Sequence, residues 1–401
     1  MADALLSIDE ARARVLATIA GPIGTEEVAL EAAIDRVLAA EIRTAGDRPP
    51  FASSAMDGYA LGSAGAPSTF SVIGESRAGG PFAGRIEAGE AVRISTGAAV
   101  PDGAAAVIRQ EDTIAPGDLV ETTVEIAAGT NIRGPGEDMR AGALVLEAGA
   151  RIGPGELAAA ITAGAVGLSV ARRPVVAVLS TGDELRAPGT ELSSGQIHNS
   201  NGPMLEALCR RTGATVTPGA TVGDDAEQTR DALAGCLERC NLLVVSGGAS
   251  VGPHDHVKPA LESLGVERLF WGVSLQPGKP TWFGRRAERL AFVLPGNPVS
   301  AYVTFCLFVA PALNALQGAA PVSGFATEAR LAIPVAQNEV RTQAIRVRLE
   351  TRGAELLAHP TGRQESHMLS SLLSADSLAL IPPGPGELAA GELVRLEPLI
   401  R

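Results

Sequence analysis

Three short blocks concentrate the chemistry of this chain: SGGASVGPHDHVK from residue 246, PGKP from residue 277 and PGNPVSA from residue 295. The four apolar residues 242–245 read as a buried parallel strand, so Gly247 and Gly248 fall where such a strand turns toward a helix. With no Cβ atoms there, the amides of Gly248, Ala249 and Ser250 can approach phosphate oxygens. Asp255 and Lys258 follow as a candidate metal ligand and a cation. PGKP holds Lys279 in a proline-stiffened loop, facing either an anion or solvent. Pro295, Gly296 and Asn297 end one strand and open a helix, which reads as an anion site or as a plain cap by Asn297 or Ser300.

Glu184 and Asp224 also follow strand-like runs and should converge with Asp255 beyond the carboxyl ends of a sheet. Three carboxylates beside a glycine turn suit Mg²⁺ and a phosphate, with attack at phosphorus as the reaction class. Asp224 by itself reads equally as a helix N-cap. His254 and His256 flank Asp255, but alternate residues of a turn point apart and no third ligand is evident, so zinc is not expected. Cys236 and Cys240 share a helix face without a further Cys or His, and are expected to be core thiols. Earlier in the chain, Asp57 precedes Gly58 in SSAMDGYAL, Thr96 and Gly97 sit in RISTGAAVP, and GEDMRAG begins at residue 136. Each alone resembles an ordinary turn. Together they are more particular than strand chemistry requires.

The elements that must position these residues follow from periodicity. Ser7 and Glu10 form a capping box ahead of Ile8, Ala11, Val15 and Ile19 on one helical face. Residues 47–146 read as short strands between Gly and Pro turns, and 151–167 as helical, expected to pack back onto the first helix. From residue 173 the pattern alternates βαβαβα, and from about 325 it returns to strands. The expected fold is multidomain α/β with four parts. An N-terminal helical domain (1–46 and 147–172) carries a β-rich insertion (47–146). A central three-layer α/β domain with a mostly parallel sheet (173–318) and a C-terminal β-barrel-like domain (325–401) complete it.

Composition bounds the setting. The 401 residues are 46% hydrophobic and 3% aromatic with a formal charge of −12, so the core is aliphatic, and nonspecific nucleic-acid or membrane binding is disfavoured. The N-terminus lacks the apolar run of a signal peptide, which points to the cytoplasm. The most apolar stretch, 299–316, is interrupted by polar residues and Pro311 and reads as a buried helix.

Across SAMDGYA, RISTGAAVP, GEDMRAG, STGDEL, SGGASVG, PGKP, PGNPVSA and SHMLSSL, in that order, the chain resembles the MoeA family of molybdopterin molybdenumtransferases and the related gephyrin E domain. The resemblance implies insertion of molybdate into adenylylated molybdopterin with release of AMP, dependence on Mg²⁺, and a four-domain elongated homodimer. It implies molybdopterin adenylyltransferase and molybdoenzyme maturation factors as partners. The family's functional acids fall on Asp57, Asp138, Glu184, Asp224 and Asp255, and its threonine on Thr96, with Glu184, Asp224 and Asp255 near the metal. Its anion-binding groups fall on Arg341, Ser366, Ser370 and Ser371. Asp57 and Thr96 lie in a different domain from Asp255, so the family picture implies a cleft completed by a second subunit. Departures occur where better-known members carry two further lysines, here Gly272 and Gln276, and where QGSH becomes QESH with Glu365. Arg285, Arg286 and Lys258 are the candidates to replace the lost cations. The alternatives are a paralogue of altered anion specificity and a noncatalytic molybdopterin-binding scaffold.

Overall fold

The computed structural model describes residues 5–249, 255–320 and 327–400. At its centre lies a six-stranded sheet in the spatial order Thr215–Val222, Val175–Thr181, Leu242–Ser246, Arg289–Leu294, Trp282–Arg286, Glu267–Trp271. The first four strands run parallel and the last two are antiparallel additions. Leu242–Ser246 is buried at every position, as a strand covered on both faces must be. The antiparallel edge was not foreseen, because Glu267–Trp271 and Trp282–Arg286 mix charges with aromatics and show no clean alternation.

Helices α1 (Ile8–Ala17), α2 (Pro154–Ala163), α3 (Asn201–Arg211), α4 (Ala226–Arg239) and α5 (Val257–Ser263) are followed by α6 (Pro298–Thr304), a π-helical turn (Phe305–Val309), α7 (Ala310–Leu316) and a one-turn α8 (Ser370–Leu373). The capping box opens α1 as expected: Glu10 N–H donates to Ser7 Oγ at 3.2 Å and Ser7 N–H to Glu10 Oε2 at 2.8 Å. Its buried residues Ile8, Ala11 and Val15 belong to the core of the α/β unit, together with Val303, Phe308 and Leu313. Helix α1 therefore packs on the 298–316 run, whereas α2 packs in a separate small core with Leu38, Ile152 and Leu168. That first unit is less helical than its pattern indicated. One helix and two antiparallel ribbons, Thr25–Val28 with Leu168–Ala171 and Ile42–Arg43 with Leu144–Leu146, build it.

Pro311 accounts for the π-turn. It has no N–H to give the carbonyl of Leu307, four residues back, and its ring crowds that oxygen. Arg12 Nε from α1 donates to Leu307 O at 3.2 Å, so a side chain 295 residues away satisfies the freed group. This 298–316 run is the one helix among the described residues long and apolar enough to cross a membrane, and 78% of it is buried inside the protein.

The β-rich insertion folds as a six-stranded sheet containing Gly58–Leu61, Thr69–Ser76, Glu90–Ile94 and Ala106–Arg109. In the C-terminal unit, Thr342–Arg352, Glu355–Pro360, Glu328–Leu331, Leu393–Pro398 and Ser377–Ile381 pair in sequence. The last pairs back to the first, which closes a barrel.

Candidate functional site

Parallel strands all deliver their carboxyl ends to one edge, and there Thr181, Val222, Ser246 and Leu294 hand the chain to four turns. The turns are bonded to one another. Asp183 Oδ1 accepts the Asp224 amide at 2.9 Å, and Gly247 N–H donates to Leu294 O at 3.1 Å. Asn201, at the start of α3, donates from Nδ2 to Ser246 Oγ at 2.8 Å and to Gly296 O at 2.6 Å. Its Oδ1 is buried without a partner, as is Ser180 Oγ one strand away. Asn201 was missed because NGP reads first as a helix start. So was Asp183, whose neighbour Glu184 carries the family motif.

Gly247 and Gly248 have φ of +96° and +67°. A Cβ on Gly247 would meet Thr181 O and Oγ1 at 2.7 Å, and one on Gly248 would meet Val257 Cγ2 at 2.3 Å. The glycines are thus demanded by packing of the turn on its own neighbours, a reason independent of ligand access. Ser250 and His254 lie outside the described residues.

The bland reading of Asp224 assigned it a helix cap. The structure gives that role to Asp225, whose Oδ1 accepts Gln228 N–H at 2.8 Å, and leaves the exposed Asp224 side chain free of capping duty. Glu184 is likewise exposed. Asp255 is different: its side chain is 8% exposed, forms a short ion pair with Lys258, and keeps Oδ1 buried without a hydrogen-bond partner. Burial pushes the Asp255 carboxyl up from its ordinary value, against the pull of Lys258. Lys258 Nζ also donates to Gly248 O at 3.1 Å and lies 5.2 Å from the centre of the Trp271 ring.

Among the described residues no three or more His, Cys, Asp or Glu side chains form a group able to hold a metal ion. Glu184, Asp224 and Asp255 stand on three different turns and are not gathered into a cage. Mg²⁺ needs one or two carboxylates and takes its other ligands from phosphate and water. The orphaned Asp255 Oδ1 fits a metal that arrives with a phosphate.

The barrel closes over this edge. Asn297 Nδ2 donates to Ser366 Oγ at 2.7 Å and Val299 N–H to Ser366 O at 3.2 Å, so the 361–371 excursion of the barrel rests on the start of α6. Ser370 is exposed, while Ser371 is buried and accepts from Arg346 Nε at 3.0 Å. Arg346, a residue the sequence did not single out, is wholly buried and also donates to the carbonyls of Arg363 and Glu365 at 3.4 and 3.3 Å. Burial lowers its guanidinium to about 10. Glu365 is held by Arg363 at 2.6 Å, which neutralises it. Next to the start of α3 lies a groove of about 420 Å³ lined by Ser200, Met204, Tyr302, Leu369, Leu372 and Leu373, most of them apolar.

Of the two departures, Gly272 has φ +98°, and a Cβ there would meet Leu5 Cδ2 at 2.7 Å. Gln276 accepts at Oε1 from Asn338 Nδ2 at 2.6 Å. Among the candidate replacements, Arg285 and Arg286 are paired with Glu267 and Glu238. Lys279 is exposed and Arg341 half-buried.

Asp57 and Thr96 meet within the β-rich unit, where Asp57 Oδ1 accepts the Thr96 amide at 2.9 Å. Ile132–Arg133 pairs with Ser53–Ser54 in the same unit, and the exposed Asp138 follows it, its N–H donating to Arg48 O at 3.0 Å.

Family models match along the chain: the MoeA N-terminal region (domain I and II) over 6–164, a probable molybdopterin binding domain over 177–315, and the MoeA C-terminal region (domain IV) over 328–399. A molybdopterin molybdenumtransferase of Haemophilus influenzae is 34% identical over 98% of both chains. One from Bacillus subtilis is 33% identical over 93% of this chain and 89% of its own. The crystal structure of a molybdopterin biosynthesis MoeA protein from Pyrococcus horikoshii superposes with a TM-score of 0.83 at 29% identity, covering 98% of this chain and 100% of that one. Motif order, the turns at the sheet edge and these full-length likenesses agree: the chain belongs to the MoeA family of molybdopterin molybdenumtransferases, enzymes of molybdenum cofactor biosynthesis.

Proposed function

We propose that the protein transfers molybdenum from molybdate to adenylylated molybdopterin, with release of AMP and in the presence of Mg²⁺. The observation that carries this reading is the convergence of the Gly247 turn, the Asp224 turn and Asn297 at one sheet edge, with Ser366 of the barrel bonded to Asn297. Amides at such an edge suit a pyrophosphate, and the neighbouring apolar groove suits a flat heterocycle.

Asp255, with Asp224 and Glu184 on adjoining turns, would hold Mg²⁺, which when bound neutralises phosphate charge. The remaining work falls to the chain itself. Gly248 would present its backbone amide to the substrate, with Gly247 turning the chain, while Pro295, Gly296 and Asn297 would receive it at the start of α6. Lys258 balances Asp255 until a cation replaces it. Lys279, Arg341, Ser366 and Ser370 are assigned to anions, and Ser371 serves by holding Arg346. Asp57, Thr96 and Asp138 would be contributed by a second copy in a cytoplasmic homodimer.

Incubation of the purified protein with adenylylated molybdopterin, Mg²⁺ and molybdate should give AMP and active cofactor; absence of both would sink the proposal. A second reading, altered anion preference, is favoured by the absent cations at Gly272 and Gln276. Competing molybdate against tungstate in the same assay decides between them.

A further inference from the structure

The side chain of Gln276 is engaged across the boundary between two units. The Leu275–Gln276 strand pairs in parallel with Thr342 and Gln343 of the barrel. Thr342 N–H donates to Ser274 O at 3.1 Å and Ser274 Oγ to Val340 O at 3.0 Å, so the turn carrying Arg341 is laid directly on 274–276. On the opposite side, Val273 N–H donates to Lys279 O at 2.9 Å. Two basic residues from different units thereby hang from one four-residue segment, and neither forms an ion pair among the described residues.

Asn338 joins the two. Its Oδ1 accepts the amides of Val340 and Arg341 at 2.9 and 2.8 Å, which shapes the turn. Its Nδ2 donates to Gln276 Oε1 at 2.6 Å, its N–H to Gln343 Oε1 at 2.8 Å, and its carbonyl accepts Gly384 N–H at 3.0 Å. Each of its polar groups is used, and one bond crosses between units. A lysine at position 276 would meet Asn338 Nδ2 donor to donor.

We propose that Asn338 is a positioning residue: through Gln276 it brackets the Arg341 turn to the PGKP loop, and so sets where Arg341 and Lys279, both assigned to anions above, stand relative to one another. This rests on the transferase reading above.

Gln276→Leu separates the roles. Asn338 Oδ1 still accepts the amides of Val340 and Arg341, but its Nδ2 loses the acceptor across the seam. The variant should raise the molybdate KM by about tenfold, the scale of one lost charge-assisted contact, with kcat within about twofold. Amide exchange in 339–343 and 274–278 should quicken together. Asn338→Asp keeps a bond, because the Gln276 amide turns its Nε2 donor toward the carboxylate, and should leave both segments as protected as in the wild type. An unchanged KM with Gln276→Leu, or exchange that quickens as much in Asn338→Asp, would overturn the bracket. If the wild-type protein released no AMP, the transferase reading would fall and the anion assignments with it. Exchange, read on the same variants, would still show whether 338 and 276 are coupled.

Discussion

The two walls of the cleft are built on opposite principles. On the α/β side steric packing is added to the few bonds between turns: Gly247 and Gly248 have no room for a methyl group. On the barrel side the 361–371 excursion is fixed by polar bonds, several of them to the buried Arg346, with Gln364 Oε1 accepting its amide and Thr361 Oγ1 donating to its carbonyl. Steric walls tolerate almost no substitution but hold atoms without bonds that water can replace. Polar walls can be loosened one bond at a time. Under the proposed function, chemistry falls to the first wall and adjustment of fit to the second.

The sharpest way to break this contrast is Asp255→Asn. Turnover should fall by at least about a hundredfold, as for a lost electrostatic group in a catalytic site. The sign of its stability effect is also set. The folded-state value is raised above 3.8, so the native state holds the proton longer than the unfolded chain, and stability falls as pH climbs through and just above 3.8. The asparagine variant lacks that loss. Its melting temperature relative to wild type should therefore rise between pH 4 and neutrality, and a parallel pair of curves would refute the assignment.

Next in size is Gly248→Ala, which forces a methyl against Val257 at positive φ. A loss of about 2–4 kcal/mol in urea unfolding is expected. Retained stability would show that the turn can yield. On the polar wall, Arg346→Lys keeps a charge but loses the fork, and should cost about 1–3 kcal/mol while mainly raising KM. An equal fall in kcat alone would place Arg346 in the chemistry instead. Smallest is Asp9→Asn, which removes an exposed pair with Arg395 at 2.9 Å and should cost under about 1 kcal/mol, less still in high salt.

Much of the α/β wall was legible because local pattern and function coincide there: apolar strands, then glycine or acid at each end. Helix α1, too, was written in its capping box, but its partner was not. Nothing near residues 7–19 tells that they pack on 298–316 and not on α2. Arg346, Asn338 and Asn201 were illegible for a related reason, since their roles consist of bonds to segments 15 to 95 residues distant. Of the two cysteines read as core thiols, Cys240 is buried and Cys236 is half-buried against the same core. Burial pushes Cys209 and Cys306 up to about 12 and Cys240 up to about 11, which leaves no thiolate at neutral pH. The departure at Gly272 reads as a missing charge in sequence and as a backbone requirement in space, because its φ of +98° favours glycine.

The bond from Arg12 to Leu307 has a consequence for the order of assembly. During synthesis α1 emerges first, yet its carbonyl acceptor lies 295 residues later, and the partner of Asp9, Arg395, lies 386 residues later. At ribosomal speeds of about 5–20 residues per second, the helix waits for tens of seconds with its apolar stripe uncovered. A contact of such long range closes late and slowly. Seating α1 therefore requires that Leu307 and Arg395 have already been made, and the seam it closes runs from the π-turn to the end of the barrel.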